Sequence, residues 1–359
     1  MHLLILGRGE TTATPTGHQV QGFRMHADAL RDRLGITFDL RRVASLADIE
    51  READAPADPE RRTHPDAVVV LPHWGDDPGE LAETLGRVRA ATGARLALLD
   101  YYAPTASPHF GVLPAVDLYI KRQTLRDPGA WLAPTPSGFA YADFVADTWG
   151  FDLDGWSFRS VPAQEELPKI VSGWNLGVAW RYRSLVRKPV PPQALRPIAV
   201  NRRIGTINRA GKTEWYQFSR GKLVEAVAPV TDRVLTTGLG RVSSRRYYAE
   251  LALSKMTLSP FGWGEVCFRD YEAAALGSLL IKPDMGHLVT SPDIYVPGET
   301  YVPIRWDFAD AADVVDEYLR KPAERKRIAA NARAALRGYF DRGGFVADVE
   351  RTTGHLGDR

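Results

Sequence analysis

The sequence predicts an α/β protein made of two Rossmann-like, doubly wound halves whose ligand sites face a central cleft. Strand-like and helix-like stretches alternate in both halves, which is the pattern of a parallel sheet covered by helices. A proline-rich stretch, Lys188–Pro192, interrupts the alternation near the middle of the 359 residues. After it, Leu258–Asp284 reads as one complete strand, loop, helix and strand unit. Parallel sheets bind ligands at the carboxyl ends of their strands, so both sheets are expected to face one cleft.

The first half reads as short apolar strands separated by helices. The run Ala67–Leu71 is apolar on both faces, which is typical of a central parallel strand. Apolar runs predict strands at Leu3–Leu6, Thr37–Val43, Ala67–Leu71, Arg95–Leu99 and Leu118–Lys121. Apolar residues at helical spacing predict helices over Gln19–Leu34 and Pro78–Thr92. Ala53–Pro65 has no period and is expected to be a surface loop.

The pattern restarts after the proline-rich stretch. Strands are expected at Pro197–Val200, Val234–Thr236, Met256–Leu258, Ser278–Ile281 and Val302–Ile304. Helices are expected at Tyr216–Val227, Ser243–Leu253, Glu265–Leu276, Ala309–Leu319 and Ala323–Tyr339. Proline fixes φ and removes amide donors, so residues 188–196 are predicted to be a linker. The predicted domains are residues 1–187 and 197–340, followed by a C-terminal tail or helix at 341–359.

Composition excludes several classes of protein. With 46 basic and 44 acidic residues, the near-zero net charge does not support a dedicated nucleic-acid binder. The lone Cys267 excludes an internal disulfide and a cysteine-based metal site. No stretch approaches the ~18 consecutive apolar residues of a membrane span, and the N-terminus lacks a basic leader. A cytoplasmic protein without a transmembrane segment is therefore expected.

The loop Ser259–Gly264 and the helix after it predict an anion site. Loop amides and a helix N-terminus favour negative charge, because their N–H groups are unpaired and the helix dipole is positive there. Arg269 and Glu272 fall three positions apart on one helix face, so one can pair with a phosphate and the other can accept from a sugar hydroxyl. Lys255, Gly262 and Gly264 are expected to complete the diphosphate site. The alternative is turn glycines beside solvated charges.

The same segment carries the form SP-x-G-x-G, then FR-x-YEA-x-x-x-G, then a short apolar strand and a proline. It resembles the nucleotide-sugar domain of GT-B glycosyltransferases, closest to the exostosin-type and spore-maturation-protein-like branches, over roughly Tyr247–Leu336. The resemblance implies a GT-B fold, with the acceptor on the N-terminal domain and the nucleotide-sugar on the C-terminal domain. It also implies that Arg269 and Glu272 hold the donor diphosphate and ribose.

One departure from that family concerns the acids of many retaining members, which stand eight positions apart. Eight positions before Glu272 is Gly264, and Glu265 is one position off. The motif is not satisfied, and inversion or retention stays open. Glu265 is still counted among the expected donor-binding residues.

Other candidates have open alternatives. Arg220 offers a second cation for the diphosphate, or is a helix-surface arginine. Trp263 can stack on a base or sugar ring, or pack in the core. His18 follows the Gly/Thr-rich loop after the first strand and can take an acceptor proton, unless it is a surface or capping histidine. Asp100 stands at a strand's carboxyl end, where a turn or N-cap role competes with catalysis.

Together these features predict a glycosyltransferase that uses a nucleotide diphosphate sugar as co-substrate and needs no further cofactor. No Asp-x-Asp pair follows a strand and no cluster has metal-ligand spacing, so no catalytic metal is expected. The acceptor stays open among a glycan, a small molecule, a protein and modified DNA. Two alternatives stand beside this function: a GT-B-fold nucleotide-sugar epimerase, and a non-catalytic nucleotide- or sugar-binding protein.

Overall fold

A computed structural model describes residues 1–8, 15–55, 64–133, 135–158, 160–205 and 214–357. The strands are β1 His2–Arg8, β2 Thr37–Val43, β3 Ala67–Leu71, β4 Arg95–Asp100, β5 Leu118–Lys121, β6 Gln123–Leu125, β7 Ile170–Ser172, β8 Ile198–Asn201, β9 Ser254–Leu258, β10 Leu279–Pro283, β11 Leu288–Thr290 and β12 Val302–Ile304. The helices are α1 Pro15–Met25, α2 Ala27–Leu34, α3 Leu46–Asp54, α4 Pro78–Thr92, α5 Ala140–Trp149, α6 Trp180–Leu185, α7 Trp215–Thr231, α8 Ser244–Ala252, α9 Phe268–Ala275, α10 Ala311–Arg320, α11 Pro322–Asp341 and α12 Gly344–Gly357.

Two parallel sheets form the centre of the molecule. The first has six strands in the order β2-β1-β3-β4-β5-β7, and the second has four in the order β12-β10-β9-β8. All five residues of β3 are buried, as an apolar central strand requires. Buried side chains pack on both faces of the first sheet in two separate clusters. The α/β class with two Rossmann-like sheets is therefore confirmed.

Contacts join the N-terminal half (residues 1–187) to the C-terminal half (residues 197–340). Strand β6 of the first half pairs antiparallel with β11 of the second, with Leu125 opposite Leu288. A shared hydrophobic cluster contains Tyr141 and Tyr182 from one half and Phe261 and Tyr271 from the other. The carboxyl edges of both sheets are thereby held against each other. The boundary at residues 188–196 stays a prediction.

The segment predicted as a tail or helix, residues 341–359, contains α12. Four of its apolar side chains, Phe345, Val346, Val349 and Leu356, are buried in a cluster that also contains Leu3 of β1. The chain thus returns to its N-terminal half after completing the second sheet.

Several predicted elements differ in detail from the structure. The helix expected over Gln19–Leu34 is divided into α1 and α2, because His26 has φ −122°, outside the helical region. Val234–Thr236 contributes one isolated bridge, Val200 to Thr236, and no full strand. The helix expected from Glu265 begins at Phe268, for a reason that lies in the site itself.

Candidate functional site

A cavity of about 440 Å³ lies where the carboxyl edges of the two sheets meet. The C-terminal half lines it with the segments after β8 and β9 and with the start of α9, while Ala103, Arg122 and Leu176 come from the N-terminal half. The lining residues are Ala103, Arg122, Leu176, Arg203, Gly205, Arg220, Leu239, Gly240, Arg241, Val242, Tyr247, Gly262, Trp263, Gly264, Val266, Cys267, Phe268, Arg269 and Glu272.

Helix α9 begins at the cavity because Asp270 caps it. The Cys267 N–H donates to Oδ2 of Asp270 at 2.9 Å, which makes Cys267 the N-cap. Asp270 is itself fixed in the core by an ion pair with Lys282 at 3.2 Å and a hydrogen bond from the Tyr295 hydroxyl at 2.7 Å. The first-turn amides of the helix and its positive dipole end are thus held at the cavity wall, where they favour an anion.

Five arginines line the same cavity: Arg122, Arg203, Arg220, Arg241 and Arg269. Nε of Arg269 donates to the Arg203 carbonyl at 2.9 Å, and its Nη1 donates to Ser259 Oγ at 3.2 Å. Burial and repulsion by Arg269 lower the pKa of Arg220. Arg203 has an acidic neighbour, Glu250, at 2.7 Å. The lining therefore carries more positive charge than its own carboxylate balances, which is the condition for binding a multiply charged anion.

Glu272 is the acidic residue among the described lining residues. Its carboxylate accepts hydrogen bonds from the hydroxyls of Tyr247 at 2.7 Å and Tyr248 at 3.1 Å, and Nη2 of Arg181 lies 3.6 Å away. Burial, followed by the charge of Glu272, raises the pKa of Tyr247 and raises that of Tyr248 to about 12. Both phenols therefore stay protonated donors, and they orient a carboxylate that has lone pairs left for a ligand hydroxyl.

The glycines and the tryptophan of the loop have separate roles. A Cβ on Gly264 would lie 2.1 Å from the Ala103 carbonyl oxygen, so only glycine allows the two halves to approach this closely. A Cβ on Gly262 would lie 3.1 Å from Nη2 of Arg220, so this glycine lies beside the guanidinium. Trp263 lines the cavity with 38% of its surface exposed, and its ring meets Trp156 edge-on at 5.4 Å. An exposed indole face beside an anion site suits a base or a sugar ring.

Two expected donor-binding residues are not brought to the cavity. Glu265 is buried and accepts hydrogen bonds from Thr105 Oγ1 at 2.7 Å and the Thr105 amide at 3.2 Å, so it ties the loop to the N-terminal half. Lys255 is the second residue of β9, at the amino end of the strand, whereas the cavity lies at the carboxyl end. A phosphate role for Lys255 does not fit this placement.

The two expected catalytic residues have different outcomes. Asp100 is fully buried, pairs with Lys121 Nζ at 2.9 Å and accepts from the Tyr119 hydroxyl at 2.8 Å. Burial by itself would raise the pKa of Asp100, but the Lys121 charge and the hydrogen bonds lower it overall. Asp100 is therefore a buried structural anion and does not fit the role of acceptor base. His18 lies within α1, and its side chain falls outside the part of the chain that the structure describes.

The sequence prediction missed Arg122, Arg203, Arg241 and Tyr247. Arg122 directly follows β5, so the strand-end rule that pointed to Asp100 would also have pointed to it. Arg203 is the second residue after β8. Arg241 lies in the connection before α8, and Tyr247 lies within α8. Neither residue follows the end of a predicted strand, so the strand-end rule does not point to them.

No group of three or more His, Cys, Asp or Glu side chains is placed to hold a metal ion in the segments that the structure describes. Among the described helices, none combines the length and apolar character needed to cross a membrane.

Comparisons with known proteins agree with this geometry. Residues 177–342 match a family model described as "Glycosyl transferase-like". The whole chain superimposes on 99% of a glycosyltransferase from Rickettsia africae ESF-5, with a TM-score of 0.57 and 11% identity. A sucrose-phosphate synthase from Thermosynechococcus elongatus is similar over 99% of both chains, with a TM-score of 0.49 and 12% identity. No curated protein sequence matches the chain.

The likeness to the Rickettsia africae structure confirms the predicted GT-B fold. The match to the glycosyltransferase-like model covers the cavity residues of the C-terminal half. The finer resemblance to the exostosin-type and spore-maturation-protein-like branches stays a prediction.

Proposed function

We propose that the protein transfers a sugar from a nucleotide diphosphate sugar to an acceptor bound on the N-terminal side of the cleft. The observation that carries the proposal is the position of Arg220 and Arg269 at the capped start of α9, with Glu272 held one turn further along. A diphosphate needs cations and free amides such as those at the start of α9, and a ribose needs a fixed hydrogen-bond acceptor such as Glu272.

In this reaction the bond between the sugar and the distal phosphate breaks, and its electron pair goes to the phosphate oxygen. The acceptor oxygen forms the new bond to the sugar and loses its proton. Arg220, Arg269 and the first-turn amides of α9 stabilise the charge that develops on the departing diphosphate. Because these cations supply the charge that a divalent metal otherwise supplies, we propose that transfer does not depend on a metal.

The group that accepts the proton is assigned to the N-terminal half. We do not assign this role to Asp100, because it is buried and paired with Lys121. His18 stays the predicted base, because a histidine can accept a proton near neutral pH. The acceptor class and the cytoplasmic location also stay predictions.

A second candidate is favoured by one observation: of the two residues predicted to be catalytic, Asp100 is the one whose side chain the structure describes, and it is buried. A protein that binds the donor without turnover would show the same cavity. An epimerase would instead change the donor with no acceptor present.

The discriminating experiment has two parts. Thermal unfolding is first measured with a panel of uridine, guanosine, adenosine and thymidine diphosphate sugars, because a ligand of the native state raises its stability by about 2.7 kcal/mol at 100 times its Kd. The stabilising donor is then incubated with candidate acceptors, with and without EDTA.

Transfer that survives the chelator supports the proposal as a whole. Transfer that EDTA abolishes and Mg²⁺ or Mn²⁺ restores contradicts the metal-independent part. Isomerisation of the donor alone indicates an epimerase, and stabilisation without any turnover of donor indicates the binding protein.

A further inference from the structure

Arg122 is the arginine that the N-terminal half contributes to the cavity. It directly follows β5, is 2% exposed, and its Nη1 donates to the Tyr101 carbonyl at 3.1 Å. Its Nε and Nη2 have no hydrogen-bond partner among the residues that the structure describes. These two nitrogens share one edge of the guanidinium, which is the edge that binds two oxygens of a phosphate or carboxylate at once.

Because Arg122 is buried, an anion bound to its guanidinium would stabilise the site. Burial lowers the pKa of Arg122 to about 10, so the side chain is still a cation at neutral pH. A buried charged donor without an acceptor is costly, and the cost is recovered when an anion occupies that edge. Arg122 thus differs from Arg126, four residues later, whose Nε and Nη2 are already bound to the carbonyls of Gly286 and Leu288 at 2.9 Å.

The surroundings of Arg122 indicate which anion this is. Arg122, Arg220 and Cys267 line the same cavity, so the N-cap of α9 lies at a wall that arginines of both halves share. Glu272, the proposed ribose ligand, belongs to the C-terminal half together with Arg203 and Arg269. Glu272 and Arg122 line one cavity, so a donor whose ribose binds Glu272 presents its diphosphate to the space that Arg122 also lines.

We propose that Arg122 binds the distal phosphate of the donor, the one that carries the sugar, from the N-terminal side of the cleft. The inference rests on the proposed function. The distal phosphate gains negative charge when the sugar leaves, so Arg122 stabilises the transition state more than the bound donor. This contact also means that both halves of the protein bind the sugar-bearing end of the donor.

The test compares the affinities of a nucleoside diphosphate and its monophosphate within each variant, by calorimetry on UDP and UMP and on the matching adenosine, guanosine and thymidine pairs. Arg122→Gln should weaken the diphosphate by about ten- to hundredfold and leave the monophosphate unchanged. Arg122→Lys should recover part of the loss, because it keeps the charge without the paired donors. Arg126→Gln is the matched control for a structural effect at the same junction and should not change the ratio.

A lower folded fraction changes the measured stoichiometry and not the ratio of affinities, so a destabilised variant remains informative. An unchanged ratio in Arg122→Gln overturns the inference while leaving the donor site in place. An equal loss of both ligands also overturns it, because that result describes a structural arginine. A wild-type protein that binds no nucleoside diphosphate overturns the proposed function and this inference with it.

Discussion

The chemistry of the site depends on single charged residues and their fixed neighbours. Arg269 and Glu272 could be predicted from the sequence, because three-residue spacing on a helix places two side chains on one face. Arg122 and Arg203 were missed although both follow strand ends, since an arginine after a strand is more often a solvated charge. Lys255 lies inside β9 and does not line the cavity, whereas the predicted strand began one residue after it.

The role of Glu272 can be tested with ligands that differ only in their ribose hydroxyls. Glu272→Ala should weaken nucleoside monophosphates and diphosphates by the same factor, about ten- to hundredfold, because it removes a charge-assisted hydrogen bond that both ligands share. Wild type should also bind 2′-deoxy or 3′-deoxy analogues more weakly, and Glu272→Ala should abolish that preference. Calorimetric Kd values measure both effects.

The control is Glu225→Ala, which removes a 65% exposed carboxylate on α7. Its affinities should equal those of wild type. Discrimination between ribose and deoxyribose that persists in Glu272→Ala would assign the hydroxyl contacts to another residue.

At the scale of elements, the strand-loop-helix unit was predicted with the correct order, and its helix start was wrong by three residues. Local propensity allows a helix from Glu265, but the Asp270 carboxylate binds the Cys267 amide and Glu265 binds Thr105. The first contact depends on Asp270, which the buried Lys282 holds in place, and the second depends on Thr105, which is distant in sequence. The spacing of apolar residues predicts neither contact. The loop is longer as a result, and its glycines lie against the other half.

Gly264 is the residue on which this close approach depends. Gly264→Ala places a methyl group 2.1 Å from the Ala103 carbonyl oxygen, so one of the two backbones must move. We expect a loss of about 1–3 kcal/mol in the free energy of unfolding. The variant should also bind nucleoside diphosphates more weakly, because Gly264 lines the cavity. Urea unfolding followed by calorimetry measures both quantities.

Gly86→Ala serves as the comparison, because a Cβ at this position in α4 would meet nothing within 4 Å. It should stabilise the protein by about 0.4–1 kcal/mol. Equal stabilities for the two variants would show that the loop tolerates a side chain and that the approach of the halves is not tight.

For the whole molecule, the alternation of strands and helices was sufficient to predict two parallel sheets. The ladder between β6 and β11 was not predicted, because each strand has three residues and the partners are far apart in sequence. The shared cluster around Tyr141 and Tyr271 was missed for a related reason, since apolar residues alone do not reveal which half they face. These contacts join the C-terminal half to the N-terminal half, which adds Ala103, Arg122 and Leu176 to the cavity lining.

The buried histidine His109 predicts how the stability of the whole protein depends on pH. Burial lowers its pKa from 6.5 to about 4. Well above pH 6.5 the residue is neutral in both states, and as the pH falls through 6.5 toward 4 the unfolded chain binds a proton that the folded protein excludes. The free energy of unfolding should therefore decrease over this range, by up to about 3 kcal/mol from this residue.

His109→Gln should reduce that slope, while the other histidines with lowered pKa, His26 and His287, contribute equally to both proteins. Urea unfolding at pH 7, 6, 5 and 4.5 provides the comparison. Parallel curves for wild type and variant would mean that the folded protein accepts a proton at His109 near its ordinary pKa.

The central claim is that the arginine-lined start of α9 binds the diphosphate of a nucleotide donor. Calorimetric titration of UDP, GDP, ADP and TDP into wild type, Arg269→Ala and Arg320→Ala tests it most directly, since Arg320 is a 73% exposed arginine on α10. We predict that at least one diphosphate binds wild type, that Arg269→Ala weakens it about ten- to hundredfold, and that Arg320→Ala has no effect. Absence of binding by wild type, or equal affinity in folded Arg269→Ala, would contradict the claim.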